Sequence, residues 1–440
     1  MADVAVRVEV RLWGRRVGGL VELDTGPLVF EYAPEFRRSG LEISPIHLPL
    51  RLEGPVRFDE LRRSRSFEGL PGVLSDSLPD AFGNKVIRAW FAARGRASQA
   101  LSPAQRLLYV GERALGALTY HPAEDIPIRP AELEALEVEA LVRDARRIVR
   151  GAPGVAVPEI YRIGSSAGGM RPKAVILFNP GSGEIRSAYA EPVPGDVPCI
   201  LKLDGVGDGA TTDELGRPLP FNRVEAAYGA MAARAGLDVA DVRILEDDGY
   251  AHLLVGRFDL TPEGNRLHQH SFGGLVHVDY NEPGASSYEE YLRTILELGM
   301  PYHSLEEGYR RAVFNVLAVN QDDHVKNLSF HMDPEGRWSL TPAYDLTFAR
   351  GHGFTARHQM RIQDRTEGIR EAHLLTMADE LGVTRPRRVL ERVREAVASW
   401  FEHAAEARVP DEDLRRIDTE LRARDREVFG APPHPSAPTA

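Results

Sequence analysis

The 440-residue sequence contains a single cysteine, Cys199, so no disulfide bond can form within the chain. The cysteine stands in the apolar, strand-like run PCIL, which predicts a small buried core residue. No apolar run reaches the roughly 18 residues that a membrane-spanning helix needs. The first residues also lack the basic and apolar regions of a secretory signal peptide. We therefore expect a cytoplasmic protein that does not contact a membrane.

An excess of basic charge is also lacking. The sequence has 54 Lys and Arg residues against 65 Asp and Glu residues, a formal net charge of −11 at pH 7. Autonomous nucleic-acid binding usually needs a basic domain, so any contact with DNA would have to come through a partner. The hydrophobic fraction of 43% and the charged fraction of 27% are ordinary for globular proteins, and the length predicts two or three domains.

The most informative stretch is residues 315–348, where a polar cluster follows an apolar helical run. The cluster is NQDDHVKN at 320–327, and two strand-like segments follow it at 328–332 and 337–340. The DPEG sequence between these segments predicts a tight turn, and TPAYD comes after the second one. We therefore expect a helix that ends in a polar loop, and a hairpin that returns Asp345 to the side of that loop.

This arrangement suits phosphoryl transfer. That reaction needs a carboxylate that orients the acceptor hydroxyl, and an amide and a second carboxylate that hold Mg²⁺. Asp322 and Asn327 have the five-residue spacing of protein kinases, and Asp345 follows the strand pair. The alternative is a surface loop with solvated charges, as most isolated acidic residues are. Seven polar residues in eight positions between core-like elements favour a rigid site instead.

Strand-like alternation dominates before residue 259, and helical periodicity dominates after it. Strands are predicted at 3–31 (several, joined by turns), 41–45, 56–58, 117–121, 174–178, 198–204, 242–245 and 251–255. Helices are predicted at 82–93, 103–115, 134–149, 221–235, 284–299, 304–320, 371–382, 386–405 and 410–427. A β-rich part followed by a helix-rich part, with the polar cluster just past the boundary, is the layout of a two-lobed kinase.

Two motifs in the β-rich part could bind nucleotide. The sequence GSSAGGMRPK at 164–173 places small residues before a strand, where backbone N–H groups could bind phosphate oxygens; the alternative is a flexible hairpin turn. Lys202 lies between two apolar residues of a strand and could reach phosphates, with Glu225 as a candidate partner. The alternative for Lys202 is an outward-facing side chain on a half-exposed strand.

Other polar residues have plainer interpretations. The segment LPGVLSDSLPD at 70–80 predicts a capped entry into the helix at 82–93, because Ser and Asp favour that position and Pro is tolerated there. His268, His270 and His277 lack the spacing of a metal site and are expected to be structural or surface residues. Residues 122–135 are a predicted linker, and the Pro-rich residues 431–440 a predicted disordered tail.

NQDDHVKN followed by TPAYD resembles the signature of the HipA family, the serine/threonine kinase toxins of bacterial type II toxin–antitoxin systems. The LPD segment, the glycine-rich loop and the strand lysine occur in the family's order, so the resemblance extends over nearly the whole chain. It implies an α+β, two-lobed protein-kinase-like fold. Its parts would be an amino-terminal β-rich subdomain at 1–125, an N-lobe at 126–259, an all-helical carboxy-terminal lobe at 260–430 and the tail at 431–440.

The resemblance also implies ATP and Mg²⁺ as cofactors, with Asp322 as the catalytic residue and Asn327 and Asp345 as metal ligands. The residues it implies to contact ATP are Ala167, Gly168, Gly169, Met170, Arg171, Pro172, Lys202, Gly256, Arg257, Phe258, Asp259, His324, Lys326, Asn327 and Tyr344. Members of the family can autophosphorylate a serine of the glycine-rich loop, which points to Ser165, with Ser166 as its neighbour. A phosphate there would add about −1.5 to −2 charges beside those of ATP.

The sequence departs from the family pattern in two places. The hinge position that is often acidic is Gly256 here, and the loop carries MRPK instead of a Gln-Glu-Lys form. Either Arg171 or Lys173 is therefore the basic residue that meets the phosphates. The implied partners are a protein substrate, which in some relatives belongs to the translation machinery, and a small helix-turn-helix antitoxin of the HipB type that would supply the DNA binding.

Three other functions fit parts of the pattern. A small-molecule kinase of similar architecture would share every catalytic part. A metal-dependent hydrolase would use Asp322, Asp323 and His324 as ligands, although adjacent residues rarely converge on one ion and the glycine-rich loop would have no role. A non-catalytic pseudokinase would bind nucleotide without turnover, which the presence of all three acid and amide positions disfavours.

Overall fold

The computed structural model describes residues 4–93, 101–123, 138–149, 172–188, 190–206 and 219–430. Its strands are β1 (Val4–Leu12), β2 (Arg15–Leu23), β3 (Leu28–Tyr32), β4 (Leu118–His121), β5 (Lys173–Phe178), β6 (Ile185–Ser187), β7 (Val197–Lys202), β8 (Val242–Asp247), β9 (Tyr250–Gly256), β10 (His268–Ser271), β11 (Ser329–Met332) and β12 (Trp338–Leu340).

The α-helices are α1 (Pro34–Arg37), α2 (Gly72–Ser75), α3 (Ala81–Ala93), α4 (Pro103–Val110), α5 (Val138–Val149), α6 (Phe221–Ala235), α7 (Phe272–Val276), α8 (Tyr288–Glu297), α9 (Tyr302–Leu317), α10 (Glu371–Glu380), α11 (Pro386–Ala398), α12 (Trp400–Glu406) and α13 (Asp411–Phe429). Short 3₁₀-helices lie at Asp59–Arg63 and Gly353–Ala356. None of the helices among these described residues is long and apolar enough to cross a membrane.

The chain divides into two compact units, each built from separate stretches of sequence. The first unit comprises Met1–Asn222, Ala240–Asp279 and Ser329–Thr341, and the second comprises Arg223–Val239, Tyr280–Leu328 and Pro342–Ala440. The hairpin of β11 and β12 thus belongs to the first unit, although the polar loop before it and the segment after it belong to the second.

Antiparallel strand pairing organises the first unit. The described strands form sheets with the orders β3-β2-β1-β4, β6-β5-β7-β9-β8 and β10-β11-β12. Alternate residues of β1, namely Val8, Val10 and Leu12, are buried and share one core with α4, as the two-residue period of a strand requires. The apolar faces of α3 and α5 share a second core with β5 and β7.

Cys199 lies in that second core and is 4% exposed, so its prediction as a buried core residue is confirmed. Burial raises the pKa of its thiol to about 12, with the carboxylate of Asp241 acting in the same direction. Because the thiolate is the reactive form of cysteine, this residue is chemically inert near neutral pH.

The second unit is built around α9, whose residues 312–317 are all buried. The hydroxyl of Tyr228 on α6 donates to the carbonyl of Ala318 at 2.7 Å. The ring of Tyr228 also makes an edge contact with buried Trp400, with 5.4 Å between the ring centroids. These contacts fix the carboxyl end of α9, the point from which the polar loop begins.

The α+β class is confirmed, and the structure corrects several predicted elements. Residues 41–45 are not a strand: they form an irregular segment in which the side chains of Leu41 and Ile43 are nevertheless buried. The strand predicted at 56–58 is reduced to a single bridge between Val56 and Phe30. The helix predicted at 103–115 ends at Val110, because Gly111 adopts a φ of 54° that no helix can contain. The helix predicted at 386–405 is interrupted at Ser399, which separates α11 from α12.

The carboxy-terminal part is not all-helical as predicted. Residues 268–271 form β10, which pairs with β11 through backbone hydrogen bonds, and β12 completes this small sheet. Periodicity could not reveal the pairing, because it joins segments about 60 residues apart. The predicted tail and all but residues 122 and 123 of the predicted linker lie outside the described residues, and the division at residues 125, 259 and 430 stays a prediction.

Candidate functional site

The polar loop at 320–327 begins from a strained backbone. Val319, which is fully buried, has a φ of 53°, a conformation that β-branched residues rarely adopt. Its carbonyl accepts a hydrogen bond from the N–H of Ala349 at 3.1 Å, and the N–H of Gln321 donates to the carbonyl of Ala349 at 2.9 Å. These two bonds place the segment 342–349 alongside the start of the loop.

That segment carries Tyr344 and Asp345 to the loop. The hydroxyl of Tyr344 donates to the carbonyl of Lys326 at 2.6 Å. Asp345 has a φ of 53°, in the left-handed region, and is partly buried. Strained non-glycine residues of this kind cluster at functional sites, because the surrounding structure must hold them in place.

His324 reports how close the acidic side chains lie. Burial lowers the pKa of its imidazole, and the carboxylates of Asp322 and Asp345 both act in the opposite direction. Its Nε2 atom lies 4.0 Å from Oδ1 of Asp322. The charges of Asp322 and Asp345, which are 23 positions apart in the sequence, therefore both act on the same imidazole.

Asn327 closes the loop. Its Nδ2 atom donates to the backbone carbonyl of Asp322 at 2.9 Å, and its N–H donates to the carbonyl of His324 at 2.9 Å. With the nitrogen of the amide used in this way, the Oδ1 atom is the one available as a metal ligand. Asp322 and Asn327, which are five positions apart in the sequence, are therefore in direct contact through this hydrogen bond.

Asp322 and Asp323 are adjacent but lie in opposite environments. The side chain of Asp322 is 45% exposed, whereas Asp323 is 2% exposed. The carboxylate of Asp323 accepts hydrogen bonds from the Tyr288 hydroxyl at 3.0 Å and the Gln359 N–H at 2.7 Å, and it pairs with Nδ1 of His358 at 2.9 Å. Asp323 is thus a structural anchor, while the side chain of Asp322 remains accessible to solvent.

This anchoring overturns the hydrolase alternative, in which Asp322, Asp323 and His324 would share a metal. The oxygens of Asp323 are already used by three donors. Across the part of the chain that the structure describes, no group of three or more His, Cys, Asp or Glu side chains is arranged to hold a metal ion.

The site residues do fit Mg²⁺ held by fewer protein ligands. Mg²⁺ prefers oxygen ligands and is usually bound by one or two carboxylates together with substrate phosphates and water. Asp345 would supply a carboxylate and Asn327 an amide oxygen. The lowered pKa of His324 keeps the neighbouring imidazole neutral near pH 7, so it does not repel a cation.

Hydrogen bonds behind the loop support the anchor. The amide of Asn315 donates to the hydroxyl of Tyr288 at 2.8 Å, and the amide of Asn320 donates to Oδ1 of Asn315 at 3.0 Å. Burial raises the pKa of Tyr288 well above its ordinary value, and the charge of Asp323 adds to the effect, so the hydroxyl stays protonated as a donor.

Reasoning from the sequence missed the supporting residues Tyr288, His358 and Gln359. Tyr288 lies more than thirty residues before the loop, and His358 and Gln359 lie more than thirty residues after it. None of the three stands in a motif that points to Asp323. The only signal within reach was the pair of adjacent acids, since two ionised neighbours rarely share one environment.

In the first unit, Lys202 occupies the end of β7 and is partly buried. Its partner in the antiparallel register is Lys173, so the Cβ atoms of the two lysines lie about 5 Å apart. Lys173 is 8% exposed, and its Nζ atom lies 3.3 Å from Oδ2 of Asp80. The pairing of Lys202 with Glu225 stays a prediction.

Lys173 therefore already has a buried anionic partner. Arg171, the other basic residue that the sequence left open for phosphate contact, lies outside the described residues. Pro172 is buried, and its carbonyl accepts from the N–H of Leu203 at 2.9 Å.

The segment predicted to be the hinge is held by its own hydrogen bonds. The N–H of Gly256 donates to the carbonyl of Asp241 at 2.8 Å, and the N–H of Arg257 donates to the carbonyl of Pro198 at 2.9 Å. The ring of Phe258, which is partly buried, lies 5.8 Å from that of His331. A contact of Gly256, Arg257 or Phe258 with adenine stays a prediction.

Asp259 is 2% exposed, and both of its oxygens are engaged. The guanidinium of Arg257 donates to Oδ1 at 2.9 Å and to Oδ2 at 2.6 Å, and the N–H of Gly116 donates to Oδ2 at 2.8 Å. Asp259 thereby ties the predicted hinge to the turn that precedes β4. Its predicted place near the ribose is untested.

The candidate autophosphorylation site Ser165, its neighbour Ser166, and the predicted ATP contacts Ala167, Gly168, Gly169, Met170 and Arg171 lie outside the described residues.

The three histidines singled out in the sequence are structural. The Nε2 atom of His268 lies 2.9 Å from the carbonyl of Ile43, and Nδ1 of His270 lies 2.6 Å from Oδ2 of Asp76. His277 accepts from the N–H of Gly72 at 3.0 Å. The contacts of His270 and His277 join β10 and α7 to the 70–80 segment, which the resemblance to the family implies to be a scaffold feature.

Comparisons with known proteins agree with this geometry. Residues 8–121 match the family model described as the HipA N-terminal domain. Residues 165–401, more than half of the chain, match the model described as the HipA-like C-terminal domain.

Two relatives in Sinorhizobium fredii are each named as a putative kinase. Y4dM is 25% identical over 413 residues, which cover 88% of this chain and 90% of the relative. Y4mE is 29% identical over 239 residues, which cover 50% of this chain and 56% of the relative, so the match spans only about half the length of Y4mE.

Among solved structures, the fold resembles a chain of the Shewanella oneidensis MR-1 toxin–antitoxin complex of HipA, HipB and operator DNA. The TM-score is 0.67 and the identity 21%, and the match covers 96% of this chain and 97% of that one. The two HipA family models match in order along the sequence, and the second covers more than half of it. The chain therefore belongs to the HipA family.

Proposed function

We propose that this chain is an ATP- and Mg²⁺-dependent serine/threonine protein kinase and the toxin of a toxin–antitoxin module. The observation that carries the proposal is the contrast between Asp322, which is half-exposed, and Asp323, which is buried and fixed by three neighbours. Phosphoryl transfer requires a rigid loop that presents one solvent-accessible carboxylate, with Asn327 bonded to the backbone of that residue and the carboxylate of Asp345 returned by the hairpin.

Each residue of the loop has a separate role in this proposal. Asp322 accepts a hydrogen bond from the acceptor hydroxyl and orients its oxygen towards the γ-phosphorus. Asn327 and Asp345 hold Mg²⁺, which neutralises phosphate charge when it is bound. Lys326 supplies a further positive charge, and the neutral imidazole of His324 lies near Asp322 without repelling the metal. Lys202 would neutralise the charge of the α- and β-phosphates.

The relatives support the kinase assignment and suggest a partner. Y4dM and Y4mE are named as putative kinases, and the structurally similar HipA is in complex with HipB and operator DNA. We infer that a HipB-type antitoxin binds this chain and supplies the DNA contact that its net charge of −11 disfavours. The proposed substrate is a cellular protein, and autophosphorylation of Ser165 is proposed as self-inhibition.

A small-molecule kinase would use the same loop. The two candidates differ only in the acceptor, so the products decide between them. Incubation with γ-labelled ATP and a cell lysate, followed by separation of proteins from small molecules, shows which fraction carries the label. Label on a serine or threonine of a protein supports the proposal, and label confined to the small molecules contradicts it.

The experiment that tests the mechanism compares Asp322→Asn with the wild type. Asparagine keeps the size of the side chain but is a far weaker acceptor for the substrate hydroxyl. We expect transfer to fall at least about 100-fold, the contribution of a well-placed acid–base group, while ATP binding changes little. Asp364→Asn is the matched control, because the side chain of Asp364 is 91% exposed. Wild-type transfer by Asp322→Asn would refute the assignment.

A further inference from the structure

One aromatic ring contacts two side chains of the loop. Tyr280 is 36% exposed, and the Nζ atom of Lys326 lies 5.3 Å from the centroid of its ring. The ring of His324 is also 5.3 Å away, with an angle of 51° between the two ring planes. Tyr280 is 42 positions before Asp322 in the sequence, and no motif marks it.

The ring solves a physical problem of the loop. The hydrogen bond from Tyr344 fixes the backbone carbonyl of Lys326, but the lysine side chain has four further rotatable bonds. A free ammonium would sample many positions, and each would have to be given up when phosphate binds. An aromatic face close to the ammonium favours one of them, because the ring quadrupole attracts the cation.

His324 benefits from the same ring. Its Nε2 atom lies 4.0 Å from Oδ1 of Asp322, so a rotation of the imidazole would move a group directly beside the catalytic carboxylate. The tilted contact with Tyr280 restricts that rotation. Tyr280 thus touches the two loop side chains that flank Val325, and one of them, His324, lies near Asp322.

We propose that Tyr280 is a positioning residue of the phosphotransfer site, whose ring holds the Lys326 ammonium and the His324 imidazole in place beside Asp322. The inference rests on the proposed kinase function. In that reaction the preset ammonium meets the negative oxygens of the transferred phosphoryl group without further loss of side-chain freedom. The aromatic ring is what matters, so Phe or Trp should replace Tyr280 and Leu should not.

The test measures kcat and KM for ATP in Tyr280→Phe, Tyr280→Trp and Tyr280→Leu. We expect the aromatic variants to stay within about twofold of the wild type. Tyr280→Leu should lose about 2- to 30-fold in kcat/KM, the factor that corresponds to one cation–π contact. Phe401→Leu is the matched control, because Phe401 is a comparably exposed aromatic residue of the same unit, at 44%.

A double-mutant cycle separates positioning from a general structural effect. Tyr280→Leu is combined with Lys326→Met, which keeps most of the lysine stem but removes its charge. If the ring acts through the ammonium, Tyr280→Leu should cost less than about twofold in the Lys326→Met background. Full additivity of the two losses, or an unchanged Tyr280→Leu single variant, would overturn the proposal.

A second readout does not depend on activity. The rate at which an amine-directed reagent labels Lys326, followed by mass spectrometry without nucleotide, reports how firmly the ammonium is held. We expect faster labelling in Tyr280→Leu than in the wild type and no change in Tyr280→Phe; equal rates in all three would contradict the proposal. If the wild type transfers no phosphate at all, the proposed function fails, whereas the labelling result still decides the role of Tyr280.

Discussion

The Nδ1 atom of His358 lies 2.9 Å from Oδ2 of Asp323, and neither side chain reaches solvent. A buried carboxylate is costly unless it is paired and hydrogen-bonded, so this contact and the donors Tyr288 and Gln359 make the burial of Asp323 possible. The segment around residue 358 is thereby fastened to the loop that carries Asp322. Rigidity of the loop thus depends on a residue that takes no part in the chemistry.

Asp323→Asn should therefore damage both stability and catalysis. The amide would place an N–H₂ group against donors, and the three donors would face a neutral group in place of a carboxylate. We expect the free energy of unfolding to fall by about 3–5 kcal/mol. We also expect kcat to fall at least about tenfold, because a shift of Asp323 would displace the adjacent Asp322. Thermal unfolding and a transfer assay measure the two effects.

The exposed variant Asp364→Asn serves as the control here as well, and it should leave the unfolding temperature unchanged. An Asp323→Asn protein that unfolds and transfers phosphate like the wild type would show that the buried network does not hold the loop.

The local pattern of the sequence predicted the loop and the hairpin that carry the candidate site. Asp322, Asn327 and Asp345 stand in a short motif whose spacing and flanking hairpin follow from turn and strand chemistry, so their proximity could be expected. The left-handed backbone of Val319 could not, because nothing in the side chain of valine favours it. Tyr280 and His358 were also out of reach, because their contacts with the loop depend on tertiary packing.

The same limit applies to the fold. Alternation in β1 and the periodicity of α9 predicted those elements, whereas the pairing of β10 with β11 joins distant segments and left no periodic signal. Capping chemistry predicted only a helix entry at residues 70–80, and the resemblance to the HipA amino-terminal domain implied their scaffold role. Its structural basis is a close approach: a Cβ on Gly72 would lie 1.8 Å from the carbonyl oxygen of Gly274, so only glycine fits there.

The environment of Asp259 makes the stability of the folded protein depend on pH. Burial acts to raise the pKa of this carboxyl, but the charge and hydrogen bonds of Arg257 and the N–H of Gly116 outweigh it, so the pKa is lowered below its ordinary value of 3.8. A group whose pKa is lowered by folding stabilises the folded state above its unfolded pKa. That stabilisation is lost as the pH falls through the lowered, folded-state value.

Asp259→Asn should accordingly lower the unfolding temperature at pH 7, and its difference from the wild type should shrink as the pH falls below about 3.8. Circular dichroism measures the unfolding temperatures of both proteins between about pH 2.5 and pH 7. Carboxyl groups titrate within this range. Asp241→Asn is the control, because that side chain is 60% exposed and its ion pair with Arg243 is superficial. A destabilisation that does not vary with pH would contradict the assigned role.

The ion pair of Lys173 and Asp80 connects the strand that follows the glycine-rich loop with the first turn of α3. Asp80 also accepts from the N–H of Gly83 at 2.7 Å, as an N-cap residue does. Burial raises the pKa of Asp80 in spite of the opposing charge of Lys173, so the pair only partly offsets the cost of burying the carboxylate. Removal of the cation alone should therefore be worse than removal of both charges.

Lys173→Met should lower the free energy of unfolding at pH 7 by about 3–5 kcal/mol, because Asp80 is left buried without a cation. The loss should diminish at low pH, since a carboxyl whose folded-state pKa is raised gains protons on folding and stability then falls as the pH rises. Addition of Asp80→Asn, which retains an oxygen for Gly83, should restore much of the stability of Lys173→Met. If the double variant instead loses the sum of the two single effects in thermal or urea unfolding, the two side chains act independently and the ion pair does not join the two elements.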